Sequence, residues 1–217
     1  HFDSIVIDTV PLTLTLFEVA SNSGSARLTT STEITVDLDH AGTGSCARYE
    51  LSQNRGFLPE GTTAYEDCTA QQYTFSLSPG EGLRTVFARV IDTAGNRSDL
   101  LVAQIELDTL DPTLEAIAAL PSRGADGPFS NSRDVRFRLT GVSGGNQVQY
   151  GAAIMGGDGE GGDTLICDGT VFDGVQDLSN EFIISFASDG LKGVCARVTD
   201  NAGNTSPTRL TTITIDT

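Results

Sequence analysis

The 217-residue sequence has no tryptophan, one methionine, two histidines and one lysine, Lys192. Without tryptophan, and with Tyr49, Tyr73 and Tyr150 on segments that alternate like core strands, it lacks the exposed aromatic platform of a sugar-binding module. The second half has no histidine at all, which removes the usual general base from any hydrolase built there. No apolar run approaches the ~20 residues of a membrane-spanning helix. Positive charge is scarce as well. Thirteen basic residues face 29 acidic ones, for a net charge of −16. That balance excludes nucleic acid as a partner, because phosphates would be repelled, and it equally disfavours anionic membrane surfaces. The first residues, His1-Phe2-Asp3-Ser4, carry neither a charged start nor an apolar stretch, so no intact signal peptide is expected.

An internal repeat is present and decides most of the reading. Gly82-Leu83-Arg84-Thr85-Val86-Phe87-Ala88-Arg89-Val90-Ile91-Asp92-Thr93-Ala94-Gly95-Asn96-Arg97-Ser98 recurs 108 residues later as Gly190-Leu191-Lys192-Gly193-Val194-Cys195-Ala196-Arg197-Val198-Thr199-Asp200-Asn201-Ala202-Gly203-Asn204-Thr205-Ser206. An Ile-x-(Ile/Leu)-Asp-Thr signature ends at Thr9, Thr109 and Thr217. The unit is therefore 100–108 residues long, with a boundary near Asp108 to Pro112; residues 1–108 and 109–217 are expected to form two domains. The chain opens on the tail of one unit and closes on an Asp-Thr that would begin another, so a two-unit piece of a longer tandem array is expected.

Both units alternate with period two, the pattern of strands with one buried and one wet face. Ile34, Val36 and Leu38 correspond to Val135, Phe137 and Leu139. Ala47, Tyr49 and Leu51 are aligned with Val148, Tyr150 and Ala152, and Tyr73, Phe75 and Leu77 with Phe182, Ile184 and Phe186. Ala116 to Leu120 reads either as a helical turn or as a first strand; Pro112 and Pro121 bracket it closely. About seven short strands per unit, separated by turn residues, predict an all-β chain of two tandem immunoglobulin-like sandwiches.

The hairpins Val90 to Ser98 and Val198 to Ser206, together with the unit start Asp108-Thr109-Leu110-Asp111-Pro112, resemble the bacterial Ig-like repeats of large surface adhesins and related secreted multi-repeat proteins. The resemblance implies an extracellular stalk or spacer whose partners are neighbouring repeats of the same chain. It leaves two alternatives. The units could bind a host or cell-surface protein or glycan themselves, or they could be subunits of a filament assembled through terminal strands. Within the hairpin, Asp caps the turn, while Gly and Asn tolerate positive φ. The Asn-x-Ser patterns at Asn96 and Asn204 are read as part of this turn rather than as glycosylation acceptors. Isopeptide cross-links of the kind found in some surface Ig-like domains need a lysine, which the first unit lacks.

Two cysteines fall in each unit. Pairing within units, Cys46 with Cys68 and Cys167 with Cys195, is expected because units of this kind touch only near their ends. Cys46 is out of phase with inward Ala47, and Cys195 with inward Val194, so both bridges are expected to tie a connecting segment onto the outer face of a sheet. Such bridges imply an oxidising, extracellular setting. With no Cys-x-x-Cys spacing, zinc is the weaker reading.

The remaining signals are weighed against enzymatic function, and no catalytic site is expected. Gly141-Val142-Ser143-Gly144-Gly145 matches a nucleophile elbow, but a strand rather than a helix follows it. His40 stands before Ala41-Gly42-Thr43-Gly44 and reads as an exposed loop residue. The Gly- and acid-rich run from Gly156 to Leu165 carries Asp158, Glu160 and Asp163. It reads as a flexible acidic loop, with a single bound calcium or a partner contact as the functional alternative. A second calcium candidate gathers Asp108, Asp111 and Asp200, because the hairpin between the last two strands should lie at the pole where its unit begins. The competing reading has Asp108 and Asp200 capping turns and Asp111 facing water.

Overall fold

The structure is a computed structural model that describes residues 7–22, 27–120, 129–156 and 164–217. It contains strands and no helix among these residues. The chain divides into two compact units, His1–Thr109 and Leu110–Thr217.

The first unit has eight strands: β1 (Thr13–Ser21), β2 (Leu28–Thr29), β3 (Glu33–Ala41), β4 (Cys46–Ser52), β5 (Thr62–Tyr65), β6 (Gln72–Ser76), β7 (Gly82–Asp92) and β8 (Leu101–Leu107). They form one sheet in the order β1-β3-β6 and a second in the order β2-β8-β7-β4-β5. Alternating residues of both sheets meet in one core. Ile34, Val36 and Leu38 of β3 face Tyr49 and Leu51 of β4 and Val86, Ala88 and Val90 of β7, all nearly or wholly excluded from solvent. β2 is parallel to the end of β8, and the other pairings are antiparallel.

The second unit repeats this plan. Its strands are β9 (Ala116–Leu120), β10 (Phe129–Ser130), β11 (Asp134–Thr140), β12 (Gln147–Ala152), β13 (Ile154–Gly156), β14 (Thr164–Ile166), β15 (Gly174–Asp177), β16 (Glu181–Ser185), β17 (Gly190–Thr199) and β18 (Arg209–Ile215). The sheets run β9-β11-β16 and β10-β18-β17-β12-β15, with β13 and β14 forming a separate hairpin. Phe137 and Phe182 stack in its core, with Val148, Val194, Ala196 and Val198 opposite. Ala116 to Leu120 is a strand, because antiparallel pairing with Arg136 to Thr140 satisfies its backbone.

Register corrects one correspondence drawn from the sequence. Tyr49 pairs with Val90 and Leu51 with Ala88, whereas Val148 pairs with Val198 and Tyr150 with Ala196. Because Val90 and Ala88 correspond to Val198 and Ala196, Tyr49 is the structural counterpart of Val148, and Leu51 of Tyr150. The two tyrosines occupy different rows of the same strand.

Candidate functional site

The repeated hairpin is a closed hydrogen-bonding unit. In the first copy Asp92 Oδ1 accepts the backbone N–H groups of Ala94 (2.9 Å) and Asn96 (2.8 Å), and Oδ2 accepts Asn96 Nδ2 (2.9 Å). Asp92 N–H donates to Asn96 O at 3.1 Å, and Gly95 takes φ of +91°. Ser98 closes the base: its Oγ accepts Val90 N–H at 3.0 Å while its own N–H donates to Val90 O. The second copy repeats this with one change, Gly203 N–H donating to the Asp200 carboxylate where Gly95 N–H donates to the backbone O of Asp92. Asp200 Oδ1 accepts Ala202, Gly203 and Asn204 N–H, Oδ2 accepts Asn204 Nδ2, and Ser206 Oγ accepts Val198 N–H. Burial pushes the Asp92 carboxyl up, but the bonds from Asn96, Ala94 and Gly95 outweigh it and hold its pKa below the usual carboxylate value.

This hairpin grips the segment that enters its unit, since Asn96 Nδ2 donates to Asp8 O at 3.1 Å. The exit is gripped too. Thr109 N–H donates to Glu81 Oε2 at 2.9 Å, and its hydroxyl bonds the other carboxylate oxygen. In the second unit Thr217 donates its N–H (3.1 Å) and its hydroxyl (2.9 Å) to Asp189, 108 residues beyond Glu81. The threonine bonds, aided by Arg84 at Glu81 and by Arg133 at Asp189, lower both carboxyl pKa values. The acidic residue before each Gly-Leu was missed in the sequence. Its identity differs between copies (Glu against Asp), although the shared 108-residue offset could have revealed it.

Of the calcium candidates, Asp111 is exposed, and Asp108 donates its N–H to Thr29 O at 3.0 Å. The Asp200 carboxylate is already an acceptor for three backbone N–H groups and one amide. Among the described residues no group of three or more His, Cys, Asp or Glu side chains is placed to hold a metal. Asp158, Glu160 and Asp163 lie outside the described residues.

The structure joins Cys46 to Cys68 and Cys167 to Cys195. The expected outward position of Cys46 is not what is found. Ala47 is the extra residue of a β-bulge, with Cys46 opposite Asp92 and Arg48 opposite Ile91. The bulge turns Cys46 to the side of Tyr49 and Leu51, where it packs with Cys68 against the core. Cys195 does face away from Val194 and Ala196, and it is completely buried beneath the segment after β14. Thr170 Oγ1 lies 3.5 Å from its sulfur. Close approach of that segment requires glycine below it: a Cβ at Gly151 would come within 2.2 Å of Val171 O.

The outer face of the larger sheet repeats a second motif. Arg89 lies over the Phe57 ring at 4.0 Å and makes two bonds to Glu50 Oε2, which Arg48 joins through Oε1. Arg197 lies over Phe172 at 4.3 Å and bonds Gln149 Oε1 at 2.8 Å. Burial raises the Glu50 pKa, but Arg89 and Arg48 outweigh it and leave it lowered.

His40 is at the end of β3 rather than in an exposed loop. It is half-buried, with Nδ1 2.6 Å from Tyr49 Oη. Burial, with Tyr73 and Asp39 nearby, pushes the Tyr49 phenol up to about 12. Ser143 is exposed in the turn between β11 and β12, its N–H and C=O both paired with Thr113.

No family model and no curated protein matches the chain. Solved structures do. The fibronectin(III)-like modules of Clostridium thermocellum CbhA superpose with a TM-score of 0.50 at 13% identity, covering 94% of each chain. The chain has the fold of fibronectin-III-like modules. The FN1–FN3 domains of chicken CNTN1 give a TM-score of 0.52 at 11% identity, over 95% of this chain and 66% of that one. A structure from a 1.5-MDa bacterial ice-binding adhesin aligns at a TM-score of 0.45 and 16% identity, over 97% of this chain and 67% of that one.

Proposed function

We propose that the two units are spacer repeats of a long extracellular bacterial surface protein of the adhesin kind. They hold a binding region away from the cell and carry no catalytic site. The observation behind this reading is the duplicated hairpin, whose Asp, Asn and Ser side chains are bound within the hairpin in both copies and, in the first, also to the segment entering the unit. A motif kept twice whose side chains are spent on its own turn serves the fold of each unit rather than a ligand. Two intra-unit disulfides suit an oxidising setting. No helix among the described residues is long and apolar enough to cross a membrane. Within the parent protein, these two units would be exchanged for two unrelated fibronectin-III-like modules. Adhesion that survives the exchange fits a spacer, and adhesion that is lost makes these units the binder.

A further inference from the structure

The outer faces of the two smaller sheets differ in charge at equivalent positions. On the first unit, Asp37 and Asp39 point outward from β3, with Glu18 of β1 directly opposite Asp37. No Arg or Lys lies on β1, β3 or β6. Carboxylates placed opposite each other in a ladder destabilise it, and here Asp37 is met by the neutral Gln72 amide at 3.2 Å rather than by a cation. On the second unit, Arg136 and Arg138 of β11 replace Thr35 and Asp37. Their side chains are 59% and 53% exposed, and they share one carboxylate, Glu181. Arg138 takes that carboxylate at 2.6 Å and Arg136 reaches it at 3.5 Å, so two guanidinium groups share one partner, with Asp134 two residues along the same face.

We propose that the Arg136/Arg138 face of the second unit docks on the Asp37/Asp39 face of the first unit of another copy of this chain. Within a strand, residues two apart are separated by about 6.6–6.8 Å on both faces, so the two arginines match the two aspartates in spacing. Laid face to face with the strands antiparallel, Arg136 comes over Asp39 and Arg138 over Asp37. The same register sets Leu120, the cross-strand neighbour of Arg136, over Leu16, the neighbour of Asp39. Arg–carboxylate pairing is strong when bidentate, and an apolar contact beside it excludes water. The chain's net negative charge opposes the approach, but at physiological ionic strength that repulsion is screened beyond about 8 Å, while pairs in contact persist.

This inference goes beyond the spacer reading and can fail without it. The test is sedimentation equilibrium of the full chain at physiological salt, from micromolar to millimolar concentration. The wild-type chain is expected to self-associate and to dissociate on raising salt to about 1 M, where screening reaches ~3 Å. Arg136→Glu/Arg138→Glu and, separately, Asp37→Arg/Asp39→Arg are each expected to weaken association at least tenfold. Mixing the two variants should restore it between unlike chains. The milder Arg136→Gln/Arg138→Gln serves if a reversal fails to fold. A wild-type chain that stays monomeric throughout, or charge reversals that leave association unchanged, overturns the proposal. So does a monomeric chain retained on heparin only while Arg136 is present, which would make the partner an acidic glycan.

Discussion

Arg89 and Arg197 occupy the same place in the two units and solve the same packing problem with different partners. Each guanidinium covers an aromatic ring contributed by the segment beyond the neighbouring strand, Phe57 or Phe172. In the first unit the arginine meets a buried carboxylate, Glu50, shared with Arg48; in the second it meets the neutral amide of Gln149. One step along the same strand face, Phe87 of the first unit is replaced by Cys195, which anchors the segment after β14. The inner positions at the same level, Ala88 and Ala196, are identical. Along this strand the inner residues Val86, Ala88 and Val90 are repeated as Val194, Ala196 and Val198, a fit across the dry core that each neighbouring strand completes with different side chains, Tyr49 in one unit and Val148 in the other. The outer face meets only its own loops, and each unit covers it in its own way.

This comparison can be broken at several points. The largest effect is expected from the disulfides, which close 22- and 28-residue separations. Replacing Cys167 and Cys195 by alanine should cost the second unit about 3 kcal/mol. Hydrogen exchange should rise in Ile166 to Phe172 while β17 stays protected. The matching change at Cys46 and Cys68 should cost a similar amount but loosen the start of β4, because that bridge packs against the core. Denaturant unfolding with peptide-resolved exchange distinguishes the two.

Next come the arginines. Arg89→Ala strands a mostly buried carboxylate with one remaining partner, at a cost of about 2–3 kcal/mol, whereas Arg197→Ala leaves a neutral amide and costs about 1 kcal/mol. Equal losses in thermal unfolding would show that ring stacking, not charge, holds both residues. Ser98→Ala and Ser206→Ala each leave a buried backbone N–H, of Val90 or Val198, without its acceptor. The two should cost the same, about 1 kcal/mol, because the hairpins coincide. Two distinct values from urea titration would refute the equivalence.

The smallest effect is in pH. The folded pKa of Glu50 lies below its unfolded value of 4.5, so its stabilisation is complete above that value and is lost as pH falls through the folded pKa. The first unit should therefore lose this contribution on acidification, while Gln149 gives the second no counterpart. Glu50→Gln should flatten that part of the stability-versus-pH curve in acid and leave the second unit's curve unchanged.

How much was legible beforehand varies by residue. The alternation of Val135, Phe137 and Leu139 declared β11 because a half-buried strand imposes period two on its own sequence. The Asp-x-Ala-Gly-Asn-x-Ser turn was legible for the same reason: the bonds that close it join residues within eight positions of one another. Cys46 was misplaced because a single bulge at Ala47 reverses the phase of the residues before it, and a bulge depends on the neighbouring strand. His40 beside Tyr49 and Thr109 beside Glu81 unite side chains whose proximity is set by turns and sheet register rather than by local pattern.

By itself, then, the sequence determined the repeat, the strand-rich class and the local hairpin, since these depend on periodicity and on bonds between near neighbours. Only the tertiary structure decided which residues share a sheet row, which way each cysteine faces, and where the acidic and arginine faces lie. Those follow from long-range pairing, in which a shift of one residue sends a side chain to the opposite face.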